Sequence, residues 1–197
     1  GNRMAEAFNL LRSNDLIWSY VVNNYMLGKD PAAFDLLYWN SDSTRMPAGV
    51  HSYYLREWYM HNKLSQGKMV VDNVRIDLSR VKIPVYNLAA REDHIAPLPS
   101  VFKLGQYFGG DTTLVVSGSG HIAGVVNPPA QQKYQYWTND KKAKTVEDWF
   151  KGAKETPGSW WPHWVDWITS RSGDKVTALV PGEGKFKVLC DAPGEYV

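Results

Sequence analysis

Val85-Tyr86-Asn87-Leu88-Ala89-Ala90, running into Arg91-Glu92-Asp93-His94, and Thr112-Thr113-Leu114-Val115-Val116-Ser117, running into Gly118-Ser119-Gly120-His121, decide the fold of this chain. Each begins as a short apolar run that ends in turn residues, the pattern of a strand buried in a parallel sheet. The first run follows Pro84. Between the two, Leu98 to Phe108 has helical character and stops at Gly109-Gly110. Strand, loop, helix and strand in this order form a βαβ unit of a parallel sheet.

Ligands and catalytic groups in open α/β sheets collect beyond the carboxyl ends of the strands. Asp93 and His121 both occupy that position, on consecutive strands that lie about 4.8 Å apart when paired. Asp93 is therefore expected to hold one ring nitrogen of His121, fix its tautomer and support the imidazolium, while the other nitrogen faces a nucleophile. Acid precedes base by 28 residues. That is the chain order of α/β-hydrolase folds, in which the nucleophile comes first.

A G-x-(Ser/Cys)-x-G elbow is missing from the sequence. Gly118-Ser119-Gly120 is too short and lies at the wrong end of the pair. Cys190 follows both residues and has no flanking glycines. The expected fold is α/β, the C-terminal half of an α/β-hydrolase sheet, with the nucleophile absent from this chain. Taken singly, an Asp-His dipeptide in a loop reads as a solvated turn or a helix cap, and a Gly-His after a strand says no more. The pair carries the argument. His94 is read as a supporting residue, either an orienting group or a structural hydrogen-bond donor. His51, His61 and His163 lack such a context and read as surface or core residues. Trp160 to Trp167 reads as helix packing, and Cys190 as an inert, partly buried thiol.

Around this unit the chain changes character. Ser13 to Leu27 has Trp18, Val21, Val22 and Tyr25 at helical spacing, with Gly28 at the C-cap position. Ala32 to Trp39 is a short second helix candidate, Asn40 to Gly49 a loop, and His51 to Leu64 a helix with Leu55, Trp58 and Tyr59 on one face. Lys68 to Leu78 suggests a hairpin turning at Asp72-Asn73. Beyond Pro128-Pro129, a Trp-rich helix and a tail from Gly173 are expected. The divisions are thus 15–64, a lid-like helical insertion; 65–130, the sheet with its acid and base loops; and 131–197, helical region and tail.

The 197 residues are 44% hydrophobic and 21% charged, suiting one soluble globular domain. A net charge of +2 argues against a nucleic-acid or anionic-membrane partner. No apolar run is long enough for a membrane span. With Cys190 the single cysteine, no intrachain disulfide or cysteine metal cluster is expected, and a reducing cytoplasm fits. The opening Gly1-Asn2-Arg3-Met4, with an internal Met, looks like a sequence entered part-way through a longer protein. Nine Trp and eleven Tyr suggest a large apolar core or an adhesive surface.

Several segments share a family pattern: Phe34-Asp35-Leu36-Leu37-Tyr38-Trp39-Asn40, Tyr54-Leu55-Arg56, Arg91-Glu92-Asp93-His94-Ile95, Gly118 to Pro129, Trp137-Thr138-Asn139 and Gly158-Ser159-Trp160-Trp161. With them the chain resembles the C-terminal catalytic region of polyhydroxyalkanoate synthases, most closely the class I type. G-H-I-x-G-x-x-N-P-P at Gly120 to Pro129 is the most specific match, and the ending at Ala192 to Val197 looks like the family's own C-terminus.

The resemblance implies a Cys-His-Asp triad with Asp93 as acid, His121 as base and a cysteine upstream of Gly1. It implies acyl transfer from 3-hydroxyacyl-CoA to a growing polyester, without metal or cofactor, in a cytoplasmic homodimer at polymer granules with their associated proteins. Residues 15–64 resemble a mobile lid. Arg56 in it is open to two readings, a CoA phosphate contact or a lid salt bridge. An esterase or depolymerase of the same fold, or a non-catalytic granule-associated subunit, are the competing expectations.

Overall fold

The computed structural model describes residues 2–11, 13–31, 45–191 and 194. The helix expected at Ala32 to Trp39 lies outside the described residues. The chain divides into two units, Gly1–Asn62 and Lys63–Val197.

In the first unit, α1 (Asn2–Leu11) is followed by Asn14–Trp18 and Val21–Met26, which wind as π-helix. The Leu27 amide reaches the Val22 carbonyl at 3.0 Å, one residue further back than in an α-helix. Gly28, at φ +62°, ends the segment at the position its lack of a Cβ suits, and the Lys29 amide caps the Asn23 carbonyl at 3.0 Å. The expected helix is present, but its wider turn disperses the apolar stripe laid out at 3.6 residues per turn. Trp18 and Tyr25 are 56% and 88% exposed.

α2 (Ala48–Tyr53) likewise passes into a π-helical turn, Tyr54–Met60. There Tyr54 and Trp58 meet edge to face at 4.6 Å. This helix begins before His51 and ends before Leu64. Among the described residues no helix is long and apolar enough to cross a membrane.

The second unit opens on the expected hairpin, β1 (Val70–Val71) and β2 (Val74–Arg75), turning through Asp72 and Asn73 at φ +48° and +61°. Two successive left-handed residues make the turn whose twist matches a two-residue hairpin. β3 (Val85–Ala90) and β4 (Thr112–Ser117) pair in parallel with Val85 opposite Thr112 and Ala90 opposite Ser117. The crossover is α3 (Leu98–Phe102), tightening into a 3-10 turn at Lys103–Gln106.

The sheet does not stop there. β5 (Gln135–Thr138) runs antiparallel beside β4, and β6 (Lys154–Pro157) antiparallel beside β5, giving the order β3-β4-β5-β6. The sheet is therefore mixed rather than purely parallel. The helices and tail expected in 131–197 share that stretch with two strands the sequence reading did not contain.

Successive residues of a strand face opposite sides, so the sheet carries a helical layer on each face. On one side Ala89, Val116 and Trp137 pack with Leu98 of α3 and Trp149 of α4 (Val146–Lys151). Asn87 on that side is buried and donates to the Val101 carbonyl at 3.0 Å. On the other side Tyr86 meets α5 (Trp161–Thr169): its hydroxyl lies 2.9 Å from His163 Nδ1 and its ring 5.3 Å from that of Trp167. Burial pushes the Tyr86 phenol's pKa up and that of His163 down. The tail, 171–191, is exposed throughout. Cys190 is exposed within it, which corrects the partly buried thiol expected from sequence.

Candidate active site

The site is assembled where β3 and β4 end. Their ladder runs on past the strands: the Arg91 amide donates to the Ser117 carbonyl at 2.8 Å, and the Glu92 amide to the Ser119 carbonyl at 3.0 Å. The two loops are thus sewn together before either functional side chain departs.

Asp93 then turns its carboxylate inward, its side chain only 6% exposed. One oxygen, Oδ1, accepts the amides of Ile95 and Ala96 at 2.8 and 2.9 Å, a local turn typical of aspartate. The other, Oδ2, lies 2.8 Å from Nδ1 of His121. Burial alone pushes this carboxyl's pKa up. The Ala96 amide, the His121 ring and the Ile95 amide together outweigh it and hold the pKa below the usual carboxylate value. Asp93 is thus a fixed anion at neutral pH.

With Nδ1 bound to the carboxylate, the neutral His121 ring carries its proton there and leaves Nε2 as an acceptor. The His121 side chain is 45% exposed. An imidazole nitrogen whose ring is oriented from behind by a carboxylate has the chemistry to accept a proton from a neighbouring group.

The loop bearing His121 is braced from several directions. The Gly118 amide donates to the Gln135 carbonyl of β5 at 2.7 Å, and Ser119 takes a left-handed φ of +71°. The Gly124 amide closes on the Gly120 carbonyl at 2.8 Å. A Cβ on Gly124 would lie 2.7 Å from the Gly120 oxygen, 2.8 Å from the Gly118 oxygen and 2.9 Å from the Ala90 Cβ, so glycine is needed for this close approach. The Val125 carbonyl accepts from the indole nitrogens of both Trp160 and Trp161, at 3.1 and 3.0 Å. Asn127 is buried and donates to the Lys133 carbonyl at 2.9 Å.

No protein-family model matches the chain. Over its whole length, however, it is 58% identical to the poly(3-hydroxyalkanoate) polymerase of Methylorubrum extorquens and 57% identical to the poly(3-hydroxyalkanoate) polymerase subunit PhaC of Rhizobium meliloti. It is 41% identical to the subunit PhaC of Cupriavidus necator, again over the whole chain. Over its whole length the chain is thus similar to one segment of poly(3-hydroxyalkanoate) polymerases. It spans 33%, 32% and 34% of these three relatives, about a third of each.

Within the chain, Asp93 and His121 meet at 2.8 Å, the contact expected from their positions after consecutive strands. His94 is exposed and bonds to neither of them. Arg56 belongs to the first unit, exposed on its π-helical turn. Sequence reasoning gave Gly124 no role of its own and took Trp160 and Trp161 as helix packing, whereas both indoles also bond the base loop. The glycine spacing in Gly118 to Gly124 hinted at a tight loop, but no local signal tied Val125 to indoles some 35 residues on.

Proposed function

We propose that this chain supplies the acid and base of a polyhydroxyalkanoate synthase, class I in type, that polymerises (R)-3-hydroxyacyl-CoA with release of CoA, 3-hydroxybutyryl-CoA being the expected substrate. The observation that carries the reading is the 2.8 Å contact between His121 Nδ1 and the buried Asp93 carboxylate, in a chain whose relatives bear the name polymerase.

The proposed nucleophile is a cysteine outside these 197 residues. His121 Nε2 takes its proton, and the thiolate attacks the thioester carbonyl. CoA leaves as the thiol, its proton returned by the imidazolium, and the acyl group remains on the enzyme. Nε2 next removes the proton of a 3-hydroxyl, which attacks an acyl-enzyme thioester; the ester forms, the C–S bond breaks, and the imidazolium returns the proton to the released cysteine thiolate. Asp93 supports the imidazolium at each transfer without itself being protonated. The reaction requires no metal.

The same reading gives 1–197 as part of an α/β-hydrolase fold. The parallel β3–β4 pair with acid and base beyond it supports this. Residues 15–64 form the lid, with Arg56 facing CoA or pairing within the lid, and His94 supports the acid loop. The polymerase works in the cytoplasm as a homodimer at the granule surface. Exposed Trp18, Tyr25 and Tyr59 in the lid suit an apolar polymer.

The test separates a synthase from an esterase of the same fold. A polymerase carrying this chain is incubated with 3-hydroxybutyryl-CoA, and free CoA and solvent-extractable polyester are measured together. Polyester in proportion to CoA released is expected. CoA release that yields only free 3-hydroxybutyrate would replace the reading with a hydrolase.

A further inference from the structure

We infer that Trp160 and Trp161 are positioning residues for His121, acting through the carbonyl of Val125. This rests on the reading of His121 as the base. The loop from Gly120 folds into two successive turns, with the Gly124 amide on the Gly120 carbonyl at 2.8 Å and the Val126 amide on the Ile122 carbonyl at 2.8 Å. Its far end is the Val125 carbonyl. Two indole N–H groups converge there at 3.1 and 3.0 Å, and the Asn127 amide joins them at 3.2 Å. The Trp160 and Trp161 rings stand edge to face, 6.4 Å apart and 76° inclined, so the donors approach one oxygen from different directions.

The helix these indoles begin is itself anchored to the sheet. His163 Nδ1 lies 2.9 Å from the Tyr86 hydroxyl of β3, and Trp167 Nε1 donates to Thr113 Oγ1 of β4 at 3.2 Å. β3 carries the acid loop and β4 the base loop. A single helix is thus pinned to both strands and holds the base loop by its free end. Val125 is 38% exposed, so the clamp lies at the surface, where an unheld loop has freedom to shift. A general base depends on position at the scale of tenths of an ångström, so losing the clamp is expected to act on turnover more than on substrate binding.

The experiment uses a full-length polymerase carrying this chain, with CoA release from 3-hydroxybutyryl-CoA followed at several substrate concentrations. Trp160→Phe and Trp161→Phe each leave one indole on the carbonyl, and kcat is expected to fall about threefold in each. The double variant removes both donors, with kcat expected to fall at least about tenfold and KM to stay within about twofold. Trp137→Phe is the control. It also loses an indole hydrogen bond, to Glu155 Oε2 at 2.9 Å, but across the β5–β6 pair rather than on the base loop, and should lower Tm while leaving kcat unchanged.

Should the double Phe variant fail to fold, β-(3-benzothienyl)alanine at both positions keeps the ring and replaces only the N–H, and the same kcat criterion applies. Unchanged kcat in the folded double variant, with His121→Gln inactive in the same assay, would overturn the clamp and leave the base standing. Wild-type turnover in His121→Gln would remove the base reading and the clamp with it.

Discussion

Replacing Gly124 by alanine tests how tightly the base loop is packed. The added methyl would meet three atoms at 2.7, 2.8 and 2.9 Å, whereas ordinary contact begins at 3.4 Å. Two are backbone carbonyl oxygens in the His121 turn, and the third is the Cβ of Ala90, three residues before Asp93. None can rotate away as the end of a long side chain does. The loop must therefore retreat from β3 by roughly 0.5 Å or more, a form of overpacking that costs about 1–3 kcal/mol. Removing a glycine from the unfolded chain returns about 0.4–1 kcal/mol, so a net loss near 1–2 kcal/mol is expected.

The catalytic effect should exceed that. A misplacement of 1 Å is worth about 100-fold in rate, so half of it lowers turnover roughly tenfold. CoA release and thermal unfolding of Gly124→Ala in a full-length polymerase read both quantities. Wild-type Tm together with wild-type kcat would refute the argument that this loop has no room to give.

Two further perturbations probe the core and the acid. Trp149→Ala removes an indole that is 3% exposed between α3 and the sheet, and should cost about 3–5 kcal/mol in denaturant unfolding, with CoA release per folded molecule unchanged. Asp93 has a folded pKa held below 3.8, so its stabilising contribution is fully present above the unfolded carboxylate value and disappears as pH falls through the folded one. Unfolding free energy followed from pH 7 into the acid range should show that Asp93→Asn has lost this part of the acid dependence; an acid limb identical to that of the unsubstituted protein would refute it.

The βαβ unit was legible because its signals are local and strong. The runs Val85 to Ala90 and Thr112 to Ser117 are apolar, each ends in turn residues, and each delivers one functional side chain at its carboxyl end. β5 and β6 were not legible for the opposite reason. Gln135–Thr138 has only four residues, with its buried pair Tyr136 and Trp137 adjacent rather than alternating. Lys154–Pro157 is largely exposed and ends in a proline, which suits an edge strand and hides it from a hydrophobic pattern. In the first unit the 3.6-residue period located the helical stretches within Ser13 to Leu27 and His51 to Leu64 but missed α1 (Asn2–Leu11), and it misjudged the faces of the two it found, because the backbone there winds more widely. Of the candidate site, the pairing of Asp93 with His121 could be read from position. The brace formed by Gly124, Val125, Trp160 and Trp161 could not, since it joins a loop to a distant helix through a main-chain oxygen that any residue would present.

The central claim is that Asp93 and His121 act as one acid–base unit in acyl transfer. The most direct measurement is initial CoA release from 3-hydroxybutyryl-CoA by a full-length polymerase carrying His121→Gln or Asp93→Asn, with folding checked by circular dichroism. Loss of about 10³-fold or more is predicted for each single variant, and little further loss for the double, because the two residues work as one unit. Wild-type rates of CoA release from both folded single variants would contradict the account.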